Sequence, residues 1–247
     1  MKTPIFYLLS ILLFIGCGSE SNLTFETISI TEKECPDCPE VLVEIPKALE
    51  QTNLSKTINT ALEEELISLL VFDDEIESTS LDEAILSFKN GYQELKKLYP
   101  DETAGWKAKI DGEVTFEDKK KITIELKSYL FTGGAHGYTT NSFLNFDKRK
   151  GKELENWELF EDQDHFVNFA ENKFRIQENI PQDNTINSTG FMFEKDEFYL
   201  PENIGFTKKG LTLLYNQYEV ASYAEGAIEL TLPYNEIKNY LSKKVKL

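Results

Sequence analysis

Two histidines, three cysteines and a glycine-rich loop are the residues of this chain that could carry chemistry. In "YLFTGGAHGY", residues 129–138, Gly133 and Gly134 precede His136, and strand-like residues flank the group. An imidazole on such a loop could act as a general base, but a hydrolase also needs a nucleophile or a second acid/base group beside it. No "GxSxG" or "HExxH" spacing occurs. His165 falls on a separate predicted helix, so it is not a partner for His136. The reading that fits a strand-loop-strand setting is a corner, with glycines supplying positive φ. Ligand contact is the second reading. A catalytic assignment is not made, and a cell-wall-acting hydrolase using His136 stands as the alternative to binding. "DQDH", residues 162–165, lacks the glycine and the distal glutamate of a calcium loop, and acids at a helix start are explained by the macrodipole. No metal and no cofactor are expected.

The cysteines divide into two groups. Cys35 and Cys38 in "ECPDCPE" have no second pair to complete a zinc site, and a strand rather than a helix follows them. Outside the cytoplasm they read as a disulfide across a turn between two strands. Cys17 follows Lys2 and an apolar run from Ile5 to Ile15. That run is short of the ~20 apolar residues that span a bilayer. It is built like a signal peptide, and "LLFIGC" resembles a bacterial lipobox. Residues 1–16 are therefore expected to be a lipoprotein signal peptide, Cys17 an acylated (palmitate-bearing) N-terminus, and residues 17–23 a polar tether. This places the protein in the cell envelope, anchored to a membrane and facing the periplasm or the cell surface.

The net charge of −17 sits on 43 acidic and 26 basic residues, and loss of Lys2 with the signal makes it one unit more negative. Arg149 and Arg175 are the only arginines. Such a surface repels phosphate backbones, so nucleic acid is excluded as a partner. The charge either serves simply to keep an exported protein soluble, the commoner case, or favours a cationic partner.

Several elements must position these residues. "LTFETISI" and "EVLVEI" read as strands on either side of the cysteine pair. A helix starts at Asn53 as N-cap and shows Leu54, Ile58, Leu62, Leu66 and Leu69 on one side. Ser80 and Glu83 have capping-box spacing for a second helix with Leu81, Ile85, Phe88, Tyr92, Leu95 and Tyr99 as its core stripe, stopped by Pro100. From Gly105 the period is two. Trp106, Ala108, Ile110, Val114 and Phe116 share a face, Gly112 marks a bulge, and Ile122, Ile124 and Leu126 return alongside. The glycine loop then joins two neighbouring strands of a meander. A turn with Trp157 and Phe160 leads to a helix capped by Asp162 or Asp164, burying Phe166, Phe169 and Ala170. Residues 181–195 form a long loop. Strands recur at "EFYL", "LTLLYN" and "AIELTLP", and a last helix runs from Tyr234 through Ile237 and Leu241. The fold class is α+β: a mixed, largely antiparallel sheet against several helices, in one compact unit.

"YLFTGGAHGY", then "NFDKRKGKEL", and later "YNQYEVASYAEGAIELTLPYNEI" resemble the family catalogued as domain of unknown function 3298. The hairpin and helices before the loop resemble its usual companion, domain of unknown function 4163. The resemblance covers most of residues 24–243, divided as an N-terminal part at 24–150 and a C-terminal part at 151–247. In relatives the pair lies outside the cell, in lysozyme-sensing anti-sigma factors and ahead of a peptidoglycan deacetylase domain. This sequence shows neither a sigma-binding segment nor a deacetylase domain, so neither role is carried over. The resemblance implies a binding-type envelope module. The ligand contacts expected are Gly133, Gly134, His136 and Tyr234, and the partners that the resemblance implies are a cationic envelope protein such as lysozyme or a peptidoglycan fragment.

Overall fold

A computed structural model describes residues 23–35, 38–72, 78–101 and 104–246. Residues 1–22, which would hold the expected signal segment, Cys17 and all but the last residue of the expected tether, lie outside the described residues. Leu23, counted in that tether, is instead buried in the first core, as an apolar side chain should be. None of the helices described is long and apolar enough to cross a membrane.

Two antiparallel strands, β1 (Phe25–Glu32) and β2 (Glu40–Ala48), open the chain, and the Cys35–Cys38 disulfide closes the turn between them. Helices α1 (Asn53–Leu70) and α2 (Leu81–Leu98) follow. The cap of α1 is Thr52, not Asn53: the Thr52 side chain accepts the Ser55 amide, and Asn53 is already helical. Leu70 rather than Leu69 takes the deepest place at its C-terminal end. Ser80 caps α2 by accepting the Glu83 amide, while Glu83 accepts from Thr79, one residue earlier than a capping box requires. Tyr99, expected in the core stripe, is 54 % exposed, because the helix has ended before it.

Three strands form the meander: β3 (Lys107–Glu117), β4 (Lys121–Phe131) and β5 (Tyr138–Asp147). With the short β6 (Lys152–Glu153) they complete a six-stranded sheet in the order β1-β2-β3-β4-β5-β6. The β2–β3 pair is parallel and the others are antiparallel. Parallel neighbours need a crossover, and α1 and α2 supply it. One face of the sheet carries Val41, Val43, Ala108, Ile110, Ile122, Ile124 and Phe146 into a core with the two helices.

The bulge is not at Gly112. The register slips between Val114 and Phe116, so Thr115 is the extra residue. Side chains alternate faces, so one inserted residue turns Phe116 to the opposite side from Val114. Val114 packs on the first core, whereas Phe116 lies against Phe206 and Tyr234 of a second. Gly112 has a different role: a Cβ there would stand 2.7 Å from Leu126 and 3.0 Å from Pro46.

The second core is built on α3 (Gln163–Gln177) and an antiparallel sheet of β7 (Asn203–Phe206), β8 (Leu211–Tyr215) and β9 (Ile228–Leu232). Asp162 caps α3, which buries Phe166, Ala170 and Phe174, with Phe169 only partly covered. "EFYL" is not a strand. Phe198 and Tyr199 instead pack around Phe174 and Tyr215, and the strand begins at Asn203. The last helix, α4 (Tyr234–Ile237), is a single turn. Leu241 leaves it to bridge to Phe160, and the Ser242 amide donates to the Leu159 carbonyl. The fold is α+β and compact. Its two parts are stitched by Asn145, whose side chain accepts from Thr123 and donates to the Ile204 carbonyl at 2.7 Å.

Candidate functional site

The loop of residues 132–137 turns the chain from β4 into β5 at one end of the large sheet. Gly133 and Gly134 have φ of 106° and 84°, a region that costs a side chain energy. At Gly137 a Cβ would stand 2.5 Å from the Tyr129 ring, so that glycine lets the loop lie flat on the tyrosine.

His136 is exposed. Its ring stacks on Tyr223 at 3.9 Å and 19°, and its Nδ1 lies 3.4 Å from the Gly137 carbonyl oxygen. The Tyr223 hydroxyl donates to that same carbonyl at 3.3 Å. Among the described residues no carboxylate or hydroxyl is hydrogen-bonded to the imidazole. The ring is thus held by an aromatic face and its own backbone, an arrangement that presents a surface and does not prepare a base.

Tyr223 continues an array. Tyr218 lies 5.6 Å from it at 34°, and Tyr138 stacks against Tyr218 at 6.5 Å and 23°. Tyr218 adopts φ of +67°, a left-handed geometry uncommon for a bulky residue. The chain holds it there through neighbours on both sides. Asn216 and Asn141 exchange hydrogen bonds, with the Asn141 amide donating at 2.8 Å and the Asn216 side chain donating back at 2.9 Å. Gln217 accepts from the Thr139 amide through its side chain and from the Tyr138 hydroxyl through its carbonyl. Glu219 accepts the Asn216 amide, and burial raises its carboxyl above the usual range. Burial, and then the nearby Glu219, likewise raises the Tyr138 hydroxyl. Tyr138, Tyr218 and Tyr129 still expose 39, 54 and 38 % of their surface, so rigidly held rings face solvent.

Tyr234 is not part of this array. Its hydroxyl donates to Thr207 at 2.6 Å and its ring meets Phe116, beside the β3–β4 turn at the far end of β4. Burial raises its hydroxyl, the mark of a packed core tyrosine. His165 is in the first turn of α3 and packs on Tyr240, away from His136. Among the described residues no group of three or more His, Cys, Asp or Glu side chains could hold a metal ion.

On the other side of the loop, Trp106 lies under Gly133, its Nε1 4.0 Å from where a Cβ would stand. Phe72, Phe88 and Tyr92 surround the indole with centroids at 4.7, 5.3 and 6.1 Å. The tyrosine array and this indole were both missed as site residues in the sequence. Alternation marks Trp106 simply as core, and the spacing of Tyr218 and Tyr223 follows no helical or strand period. The one local hint is the density of tyrosines in "YNQYEVASY", residues 215–223.

Residues 152–235 match the family model described as "Protein of unknown function (DUF3298)", and residues 32–139 match that described as "Deacetylase PdaC". The C-terminal part is thus similar to DUF3298 proteins over residues 152–235, and the N-terminal part is similar to the PdaC model over residues 32–139. No curated protein matches it. Two solved structures share its fold. A DUF3298 family member from Bacteroides fragilis is 19 % identical with a TM-score of 0.70, the alignment covering 90 % of this chain and 94 % of that one. A DUF3298 family protein from Pseudomonas aeruginosa is 23 % identical with a TM-score of 0.67, covering 91 % and 97 %.

Proposed function

We propose that this chain is an exported, lipid-anchored binding module of the bacterial cell envelope whose aromatic end docks a basic envelope protein of the lysozyme kind. The observation that carries the reading is the array of His136, Tyr223, Tyr218 and Tyr138, which is braced from behind and open in front. Rigid tyrosines are enriched in protein interfaces, where they give large contact area at low entropic cost. Their faces attract lysine and arginine, and the net charge of −17 steers a cationic partner toward the molecule. The matches to DUF3298 and PdaC models support an envelope-associated module.

The test is binding of hen lysozyme to the chain lacking residues 1–16, measured against salt and beside a peptidoglycan-digestion assay. Affinity should fall as salt rises, because exposed charges are screened beyond about 8 Å at physiological ionic strength. Tyr218→Ala should weaken binding by about tenfold or more without unfolding the protein. Salt-insensitive binding, or binding unchanged by Tyr218→Ala, would count against this surface. Binding of soluble peptidoglycan fragments without lysozyme would give the site to the glycan instead. Digestion by the parent but not by a folded His136→Ala variant would make the protein a hydrolase. Anchoring has its own check: Cys17→Ser should move the protein from the membrane fraction to the soluble one.

A further inference from the structure

A cleft of about 340 Å³ lies where the bulged end of β3 meets the second sheet. One wall is the face of β3, β4 and β5 turned away from the two helices, and the other is β8, β9 and the turn between β7 and β8. Its size is at the small end of the ~300–1,000 Å³ that holds small ligands. No ring of the tyrosine array lines it.

The floor holds an acid. Glu125 is 8 % exposed, and its one ion-pair partner among the described residues is the half-exposed Lys127 at 3.3 Å. Lys127 is shared with Glu113 at 3.9 Å. Burial raises the Glu125 carboxyl above its usual range, and Glu113 and Glu229 push it the same way against the pull of Lys127. One cation therefore serves two carboxylates, with a third close by. The turn, in contrast, holds bases. It is pinned by the Thr207 amide donating to the Gly210 carbonyl and by the Tyr234 hydroxyl donating to the Thr207 carbonyl. Lys208 and Lys209 at its tip form no ion pair among the described residues, in a chain with a net charge of −17.

The two kinds of charge stand apart. Glu229 pairs with Leu214, whereas β8 leaves the lysine turn at Leu211, so about 10 Å of strand separates them. Between them Phe143 supplies apolar surface and Thr212 and Thr231 supply hydroxyls. A purely cationic ligand would leave the two lysines unmet, and a purely anionic one would be repelled by the glutamates. A zwitterion meets both, and an extended tripeptide spans about 10 Å. We propose that this cleft binds a short free peptide, its α-ammonium among Glu113, Glu125 and Glu229 and its carboxylate between Lys208 and Lys209. The site is separate from the tyrosine surface and can be filled with or without a protein partner.

The experiment titrates trialanine into the chain lacking residues 1–16, followed by calorimetry and by the amide resonances of Phe143 and Thr212. Binding should saturate. N-acetyl-trialanine should bind about tenfold more weakly, because the buried acid loses its cation. Trialanine amide should bind about fivefold more weakly, because the lysine contacts it loses are exposed. Glu125→Gln should shrink the penalty for acetylation and leave that for amidation. The double variant Lys208→Gln, Lys209→Gln should do the reverse. Failure of trialanine to saturate, or equal binding of the free and blocked peptides, would overturn the proposal. So would putrescine or succinate binding as tightly as trialanine, since the cleft would then answer to one sign of charge alone. The blocked peptides need no change in the protein, so the test stands even if Glu125→Gln fails to fold.

Discussion

Glu158 shows how a single charge can hold a fold together. It lies almost fully buried in the turn before α3, where Lys152 and Lys244 both reach its carboxylate and the Glu155 amide donates to it. The Lys152 contact, then the Lys244 contact, hold the carboxyl down at about 2 against an ordinary 4.5. A carboxyl depressed on folding contributes stability that is full above the unfolded value and is lost as pH falls toward the folded one. Glu158→Gln should therefore cost about 2 kcal/mol at neutral pH. The gap between variant and parent should close between pH 4.5 and about 2. Urea denaturation at stepped pH checks this, and a gap constant across that range would show that the carboxylate's charge is not responsible. The role was hidden in the sequence because Lys244 lies far along the chain, and no local spacing pairs it with Glu158. The cysteine pair was legible for the opposite reason, since its partners are three residues apart.

At the level of elements, the β3–β4–β5 meander and the two long helices follow from period-two and helical patterning, and the structure has them where those patterns lie. The bulge at Thr115 could not be read this way. An inserted residue leaves the apolar spacing of Val114 and Phe116 intact while it sends their side chains apart. What marks the bulge is tertiary: the Thr115 hydroxyl donates to the Phe206 carbonyl at 2.9 Å, across to the second sheet. Phe116→Ala should accordingly destabilise the protein by about 2 kcal/mol, below the usual buried-phenylalanine loss because the ring is only half-buried. The change should loosen β7 and α4 more than α1 and α2. Amide hydrogen exchange would reveal the difference, and equal loss of protection in both regions would contradict it. The strand at Asn203–Phe206 was missed for a similar reason. Its only glycine, Gly205, lies against the Phe143 ring, where a Cβ would stand 2.2 Å away, so packing and not β propensity selects the segment.

For the whole molecule the question is whether two cores make one cooperative unit. Asn145 and Thr115 tie the large sheet to β7. Lys121, fully buried, reaches the Val245 carbonyl at 2.8 Å and the Asp118 carboxylate at 2.7 Å, and its ammonium lies over Phe116 and Phe206. Buried groups bonded across a boundary cannot be left half-satisfied when one side unfolds. A single transition is expected, and the two tryptophans can report it. Trp106 sits in the first core and Trp157 beside Lys244 in the second part, so single-tryptophan variants should give coincident unfolding curves. Separate midpoints would show that the parts unfold independently. Little of this was legible in the sequence beyond the α+β class, because the ties join residues far apart and involve polar side chains that patterning assigns to the surface.

The parallel pairing of β2 with β3 also sets a timetable. Synthesis delivers β1 and β2 first, and β2 then waits through the whole of α1 and α2 before β3 exists to cover its second edge. At ~5–20 residues per second that wait lasts several seconds. During it an open strand of alternating Val41, Val43 and Ile45 could capture another nascent chain. Glu40, Glu44 and Lys47 lie along the same strand, and charges there discourage such pairing without hindering β3, which brings Lys107 to Glu40 at 3.0 Å. The order of elements along the chain thus makes nascent β2 the point most in need of protection, well before any ligand is met.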